Sequence, residues 1–243
     1  MDRPTITALS ATPVRLDGRD AQWDIAEPVE ISSFHARSSE HRPKVTVRLL
    51  HDSEALYVRY EVEDQYVVCK HTNLNDPVYT DSAVEIFLSP GDGNQRYIHV
   101  EMNCLGTLLV GTGNNCPPVD PATWSNRIAS WTSLAARAAE LSQVGEIEEP
   151  LHWSANLRIP FDLVEELQRL NKEGEEPPPP LPAPHRESYA PTPGTRWRVG
   201  LFKCAESSSH PHWAAWAPIG DHLNFHQPEF FGYLHFLASR EVQ

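Results

Sequence analysis

A chain of 243 residues with 33 acidic and 20 basic side chains carries a formal net charge of −13. That balance excludes nucleic acid as a partner, because phosphate backbones need a basic footprint. It also disfavours anionic membrane surfaces, while neutral ligands and divalent cations suit it.

No apolar run approaches the roughly 20 residues of a membrane span, so no membrane partner is expected. The opening stretch MDRPTITALSATPVRLDG lacks the apolar core of a signal peptide, which predicts a cytoplasmic protein unless a leader has been removed. A chain this long can bury about three quarters of its unfolded surface without a covalent staple. One β domain spanning residues 1–243 is the expected organisation.

Val45, Val47 and Leu49 alternate with Thr46 and Arg48. After the turn HDSEA, Leu56, Val58, Tyr60 and Val62 alternate with Tyr57, Arg59, Glu61 and Glu63. Strict alternation of this length predicts a half-buried antiparallel hairpin. In DSAVEIFLSP, Val84, Ile86 and Leu88 share one face, which sets Glu85 between Ala83 and Phe87 on the other. A carboxylate between apolar neighbours, entered through Tyr79 and Asp81, marks a binding face. RYIHVEMNCLG continues the pattern, with Met102 in alternation with Ile98 and Val100.

SNRIASW and LHWSANLRIP read as strands. The stretch Thr132 to Leu141 between them is expected to be strand from this context, although its alanines favour helix. FDLVEELQRL places Leu163, Val164, Leu167 and Leu170 at helical spacing, with Asp162 as the cap and Glu165 in capping-box position. The segment from Asn171 to Thr195 is rich in proline and acid and has almost nothing to bury, so it should be extended. The roughly 40 residues from Trp197 to Phe236 are too few to build their own core, so the segment is an excursion from one domain. TRWRVGLFKC and GYLHFL add the last strands. No repeat of 20–50 residues is visible, which removes solenoids and propellers.

Cys69, Cys104, Cys116 and Cys204 show no CxxC or metal-knuckle spacing, and nothing else marks an oxidising compartment, so free thiols are expected. His210 and His212 bracket Pro211, but no third zinc ligand is fixed by spacing. Trp23, Trp131, Trp153 and Trp197 sit at strand-like positions and read as core, whereas Trp213 and Trp216 lie in a histidine-rich loop that could line a site.

Several segments, in order, carry a family likeness. They are LDGRDAQWD (Leu16 to Asp24), ALYVRYEVED, DSAVEIFLSP, YIHVEMNCLG, HWSANLRIPF (His152 to Phe161), TRWRVGLFKC, and the closing WAAWAPIGDHLNFHQPEFFGYLHF (Trp213 to Phe236). Together they resemble carbohydrate-binding module family 9, the accessory domains of xylan-degrading glycoside hydrolases. The resemblance implies an all-β, antiparallel β-sandwich of two sheets, immunoglobulin- or jelly-roll-like, with one short helix and a proline-rich loop excursion.

It also implies non-catalytic binding of a xylan- or glucan-type sugar between two aromatic rings at a sheet edge, with a glycoside hydrolase as a partner. The ring positions fall on Tyr79, ahead of Glu85, and on Phe225, ahead of Phe231 and Gly232. Polar partners come from His222 and Asn224, and from Arg96, His99, Glu101 and Asn103 around the third strand; Trp216 completes the set. Structural calcium in the family points to Asp17, Asp20 and Asp64. This chain departs from the family where tyrosine and phenylalanine replace two tryptophans, and where Ile98 or His99 replaces an arginine.

A pyranose has two apolar CH faces and a polar rim, so flat rings and carboxylate or amide acceptors are the side chains it requires. Competing readings exist at each position. Tyr79 could be a plain edge tyrosine, Glu85 could pair with Arg59, and Phe225 could be a loop anchor. Two other functions compete: a haem-binding electron-transfer sandwich using Met102, and a glycosidase using Glu85 and Glu101.

Overall fold

A computed structural model describes residues 3–91, 96–113, 121–169 and 190–238. The strands are β1 (Thr5–Ser10), β2 (Val29–Glu30), β3 (Ser33–Phe34), β4 (Lys44–His51), β5 (Ala55–Asp64), β6 (Ala83–Ser89), β7 (Tyr97–Asn103), β8 (Leu108–Gly113), β9 (Ala129–Thr132), β10 (Leu151–Pro160), β11 (Arg196–Ala205), β12 (His212–Ala215) and β13 (Gly232–Leu237). Among them lie α1 (Pro121–Ser125), α2 (Ala138–Leu141) and α3 (Phe161–Arg169). No helix among the described residues is long and apolar enough to cross a membrane.

The alternating hairpin is present. β4 and β5 pair antiparallel with Val45 opposite Val62 and Leu49 opposite Val58, and the apolar members of both strands are buried. Burying one face selects this register, because a slip of one residue would turn that whole face to water. Val84, Ile86 and Leu88 on β6 and Ile98, Val100 and Met102 on β7 enter the same main core, with Trp153 and Leu157 from β10. The Tyr60 hydroxyl, sealed in that core, donates to the carbonyl of Glu85 at 2.7 Å. The core is therefore tied from β5 across to β6.

The expectation of purely antiparallel pairing fails. One hydrogen-bonded path runs β8-β7-β6-β11-β13-β1-β4-β5-β10-β9, and the sheet is mixed. β1 lies parallel to both neighbours, with Ala8 opposite Phe236 on one side and Leu49 on the other. Alternation in TITALS reports which side chains are buried but not the direction of the neighbours. Parallel pairing needs a long connection, and β1 is far in sequence from both partners. The path is continuous through β1 and curls around the main core, so hydrogen bonding does not divide it into two separate sheets.

Two local expectations are also corrected. The strand expected over Thr132 to Leu141 ends at Thr132, after which a 3-10 turn (Ala135–Arg137) and α2 follow. The helix-favouring alanines prevail because this stretch has no strand partner beyond Thr132. The helix α3 forms as expected but begins at Phe161, so Asp162 sits in its first turn and pairs with Arg127 at 3.2 Å rather than capping it. The single-helix expectation gives way to three short ones among the described residues. Most of the proline-rich stretch falls at residues 170–189, outside the described residues. The chain that follows it joins the same sheet, with β11 pairing β6 and β13.

Candidate functional site

Consecutive antiparallel ladders set one row of side chains across the sheet face opposite the main core. Leu109 lies opposite Glu101, Glu101 opposite Glu85, and Glu85 opposite Phe202. Residues paired this way project to the same side. Around the row gathers a second apolar cluster that includes Phe87, Tyr97, Phe202, Phe225 and Phe231. Above it opens a cleft of about 410 Å³, lined by Tyr79, Glu85, His99, Glu101, Asn224 and Phe225, with Leu109, Cys204, Glu206, Trp213, Leu223 and His226 completing the wall.

The acids form the floor. Glu85 and Glu101 are 2% and 3% exposed. Glu85 Oε1 lies 3.1 Å from the Cys204 sulfur, and the His99 ring meets Glu101 Oε1 through Nδ1 at 2.9 Å. Glu101 Oε2 is buried and has no hydrogen-bond partner. Burial first, and then the neighbouring Glu101 charge, push the Glu85 carboxyl well above the usual carboxylate range. The same burial, with Glu85 beside it, raises the Cys204 thiol. Arg59, the alternative partner for Glu85, is occupied by Glu61 and the Gly18 carbonyl.

With a raised folded-state pKa at Glu85, the folded protein binds more protons than the unfolded chain above the unfolded value. Stability is then full below that value and declines as pH rises. Glu85→Gln removes the titration, so its melting temperature should exceed that of the parent at pH 8, with the gap closing near pH 4.5. Melting curves at the two pH values measure this. A gap independent of pH would contradict the buried-acid account.

Loops position the rings. Tyr79 sits on a 3-10 turn (Val78–Thr80) and remains 40% exposed. Its loop is held from beneath by buried Asp81, whose Oδ2 accepts from the amides of Lys70 and His71 and from Asn103 Nδ2. Phe225 is only 9% exposed and stacks on Phe202, with ring centroids 4.2 Å apart and planes at 12°. Its loop is cross-braced by Gln227 Nε2, which donates to the carbonyls of His222 and Asn224.

His226 extends over the cleft, its Nδ1 2.9 Å from the Tyr97 hydroxyl. One edge of the ring is open while Phe87, Tyr97 and His99 enclose the other. Loss of hydration on the enclosed side, then His99, bring its pKa down to about 4. The ring is neutral at pH 7. Opposite His99 stands Gly111, where a Cβ would come within 2.4 Å of the imidazole. That glycine gives the histidine its room.

Of the ten residues expected to bind ligand, Tyr79, Glu85, His99, Glu101, Asn224 and Phe225 are brought together in the cleft. The other four are not. Asn103 is fully buried and organises the β7–β8 turn, its Oδ1 accepting from the amides of Leu105 and Thr107. Trp216 packs against the main core beside Gly232. His222 is exposed outside the cleft, and Arg96, whose carbonyl accepts from Ser89, is not on its wall.

Glu206, Cys204 and His226 also stand on the wall without having been expected there, and of the two loop tryptophans that could line a site only Trp213 does. Trp213 projects to the cleft side with its indole N–H donating to Glu206 Oε1 at 3.0 Å. A signal existed in β11: Cys204 is two residues from Phe202 on one face and lies opposite Trp213 in the ladder.

The three acids expected to hold calcium do not fit that ion as a set. Asp20 caps the turn at Ala21–Ile25 and accepts from the amides of Arg15 and Gln22, while Asp17 pairs with Arg15 and the Arg19 amide. Asp64 is claimed elsewhere by Lys203 at 3.1 Å and His41 at 2.7 Å. Among the described residues, no group of three or more histidine, cysteine or acidic side chains is arranged to hold a metal. His212 is buried and receives Lys203 Nζ at 2.8 Å, while His210 stacks on Tyr66 and meets Ser209 Oγ through Nδ1 at 2.9 Å.

The chain matches the family model for Carbohydrate-binding family 9 over residues 12–173 and 180–236. It is similar to the solved structure of a candidate carbohydrate-binding protein from Bacteroides uniformis ATCC 8492, at 23% identity and TM-score 0.71, covering 97% of this chain and 100% of that one. It is also similar to a carbohydrate binding module family 9 from Caldicellulosiruptor kristjanssonii. That module's glucose complex has 18% identity and TM-score 0.62, with 99% and 98% of the two chains covered. Its cellotriose complex has 18% identity and TM-score 0.61, with 98% and 96% covered. No curated protein matches the chain.

Proposed function

The chain belongs to carbohydrate-binding family 9, and from that premise we infer that it binds a saccharide without transforming it. The observation that carries the reading is the unpartnered Glu101 Oε2 in a cleft bordered by the exposed Tyr79 ring. A buried acceptor without a donor is costly, and a sugar hydroxyl is a donor that satisfies it. Tyr79 then covers a CH face, with Phe225 and Trp213 on the wall. His99 and His226 supply further polar contacts. A β-linked glucose unit is the favoured ligand, since a similar module binds glucose and cellotriose.

Burying about 100 Å² of apolar area at roughly 25 cal/mol/Å² supplies about 2.5 kcal/mol gross. Hydrogen bonds from the sugar hydroxyls to the carboxylates and histidines of the cleft add to it and ordering costs offset part of the sum, so Kd should fall between about 10 μM and 1 mM. Calorimetric titration with glucose and with cellotriose tests the reading. No heat from either sugar at concentrations up to about ten times that range would overturn it.

Hydrolysis is the weaker reading. A glycosidase sets two carboxyl groups on either side of the scissile bond, whereas Glu85 and Glu101 are direct cross-strand neighbours on one floor. Neither can reach the opposite side of a sugar the other touches. A glycoside hydrolase as working partner fits a module that only holds substrate, and an increase in hydrolysis of insoluble glucan when the two are joined would test it.

A further inference from the structure

We propose that Cys69 and Cys104 are a disulfide-forming pair that pins the base of the Tyr79 loop to the β7–β8 turn. Their sulfurs are 2.7 Å apart, although the residues are 35 apart in sequence. Nonbonded heavy atoms ordinarily rest about 3.5–4.0 Å apart. The two backbones are already locked in register around Ser82. The Ser82 amide donates to the Val68 carbonyl, and the Cys104 amide donates to the Ser82 carbonyl, both at 3.0 Å. Ser82 Oγ accepts from the Val68 amide at 3.1 Å. Closure therefore needs a small side-chain rotation and no movement of strands. Cys204 is committed to the cleft beside Glu85, and Cys116 lies outside the described residues.

Both sulfurs are buried, at 1% and 0% exposure, so exchange takes place before the loop closes during folding, or when it opens. A low-molecular-weight disulfide such as oxidised glutathione is the oxidant. The Cys69 thiol loses its proton and attacks one sulfur of the oxidant, expelling one thiol. Cys104 loses its proton and attacks the Cys69 sulfur, expelling the second. Two protein thiols are oxidised, one external disulfide is reduced to two thiols, and the protons end on those leaving groups. Once formed, the bridge encloses the loop that carries Tyr79 and the strands β6 and β7. The proposal does not depend on what the cleft binds.

The full chain, refolded with oxidised glutathione, is denatured, alkylated and mapped without reduction. Two of its four cysteines should resist alkylation. A linked Cys69–Cys104 peptide should appear about 2 Da below the sum of its reduced parts. The bridged protein should melt about 5–10 °C above the same sample reduced with dithiothreitol. Cys69→Ser should abolish that difference. Alkylation of all four cysteines, a bridge to Cys116 or Cys204, or a bridged form that melts no higher than the reduced one would each overturn the proposal. Mapping uses the unaltered chain, so the test survives a variant that fails to fold.

Discussion

Replacing Lys203 by methionine is expected to cost about 3–5 kcal/mol of stability, the usual result of leaving one member of a buried ion pair alone. Lys203 has no exposed surface, and its ammonium sits 3.1 Å from Asp64 Oδ2, 3.0 Å from the Cys204 carbonyl and 2.8 Å from His212 Nε2. Burial alone would raise the Asp64 pKa, but Lys203 and then His41 outweigh it and hold the carboxyl below its usual range. In the variant, that acid keeps its burial and loses its main compensation. For a domain of this size, the loss corresponds to a fall in Tm of about 10 °C. The double variant Lys203→Met/Asp64→Leu should recover much of it, since no uncompensated charge remains. A single variant melting within about 2 °C of the parent would refute the assignment.

The same network sets an acid limit. His212 is held neutral, with Nδ1 donating to the His210 carbonyl and Nε2 accepting from Lys203. Burial, then Lys203, lower its pKa from 6.5 to about 3. The unfolded chain takes up a proton there first, so stability is full above about pH 6.5 and drains as pH falls toward 3.

Tyr79→Ala and Phe225→Ala should separate binding from folding. Tyr79 is 40% exposed, so its truncation should weaken saccharide binding about tenfold, or about 1.4 kcal/mol, with Tm nearly unchanged. Phe225 differs because it is buried against Phe202. Its loss should weaken binding and also cost about 3 kcal/mol of folding stability, the ordinary penalty for emptying a packed aromatic site. Calorimetry and thermal melts on both variants give the four numbers required. Unchanged affinity in Tyr79→Ala would move the ligand away from this cleft.

The β4–β5 hairpin, the buried faces of β6 and β7, and α3 were legible because alternation and helical spacing report directly which side chains leave water. The gathering of Glu85, Tyr79 and Phe225 around one cleft was legible through the order of recognisable segments. The parallel placement of β1 was not, since both its neighbours are distant in sequence and alternation carries no direction. Trp216 and Trp213 illustrate the same gap within the site. Both are tryptophans of one short stretch, yet Trp213 lines the cleft and Trp216 seals the core against Gly232.

By itself, the sequence determined the apolar faces of the alternating strands, the mostly-β character and the family to which this arrangement of segments belongs. Periodicity and local chemistry act over a few residues and survive in any single chain. Only the tertiary structure decided that Glu101 keeps an oxygen without a partner, that Asp64 pairs with Lys203, and that two distant thiols meet. Each depends on ladders joining strands far apart in the chain, and the free energy that selects those meetings is shared over the whole core.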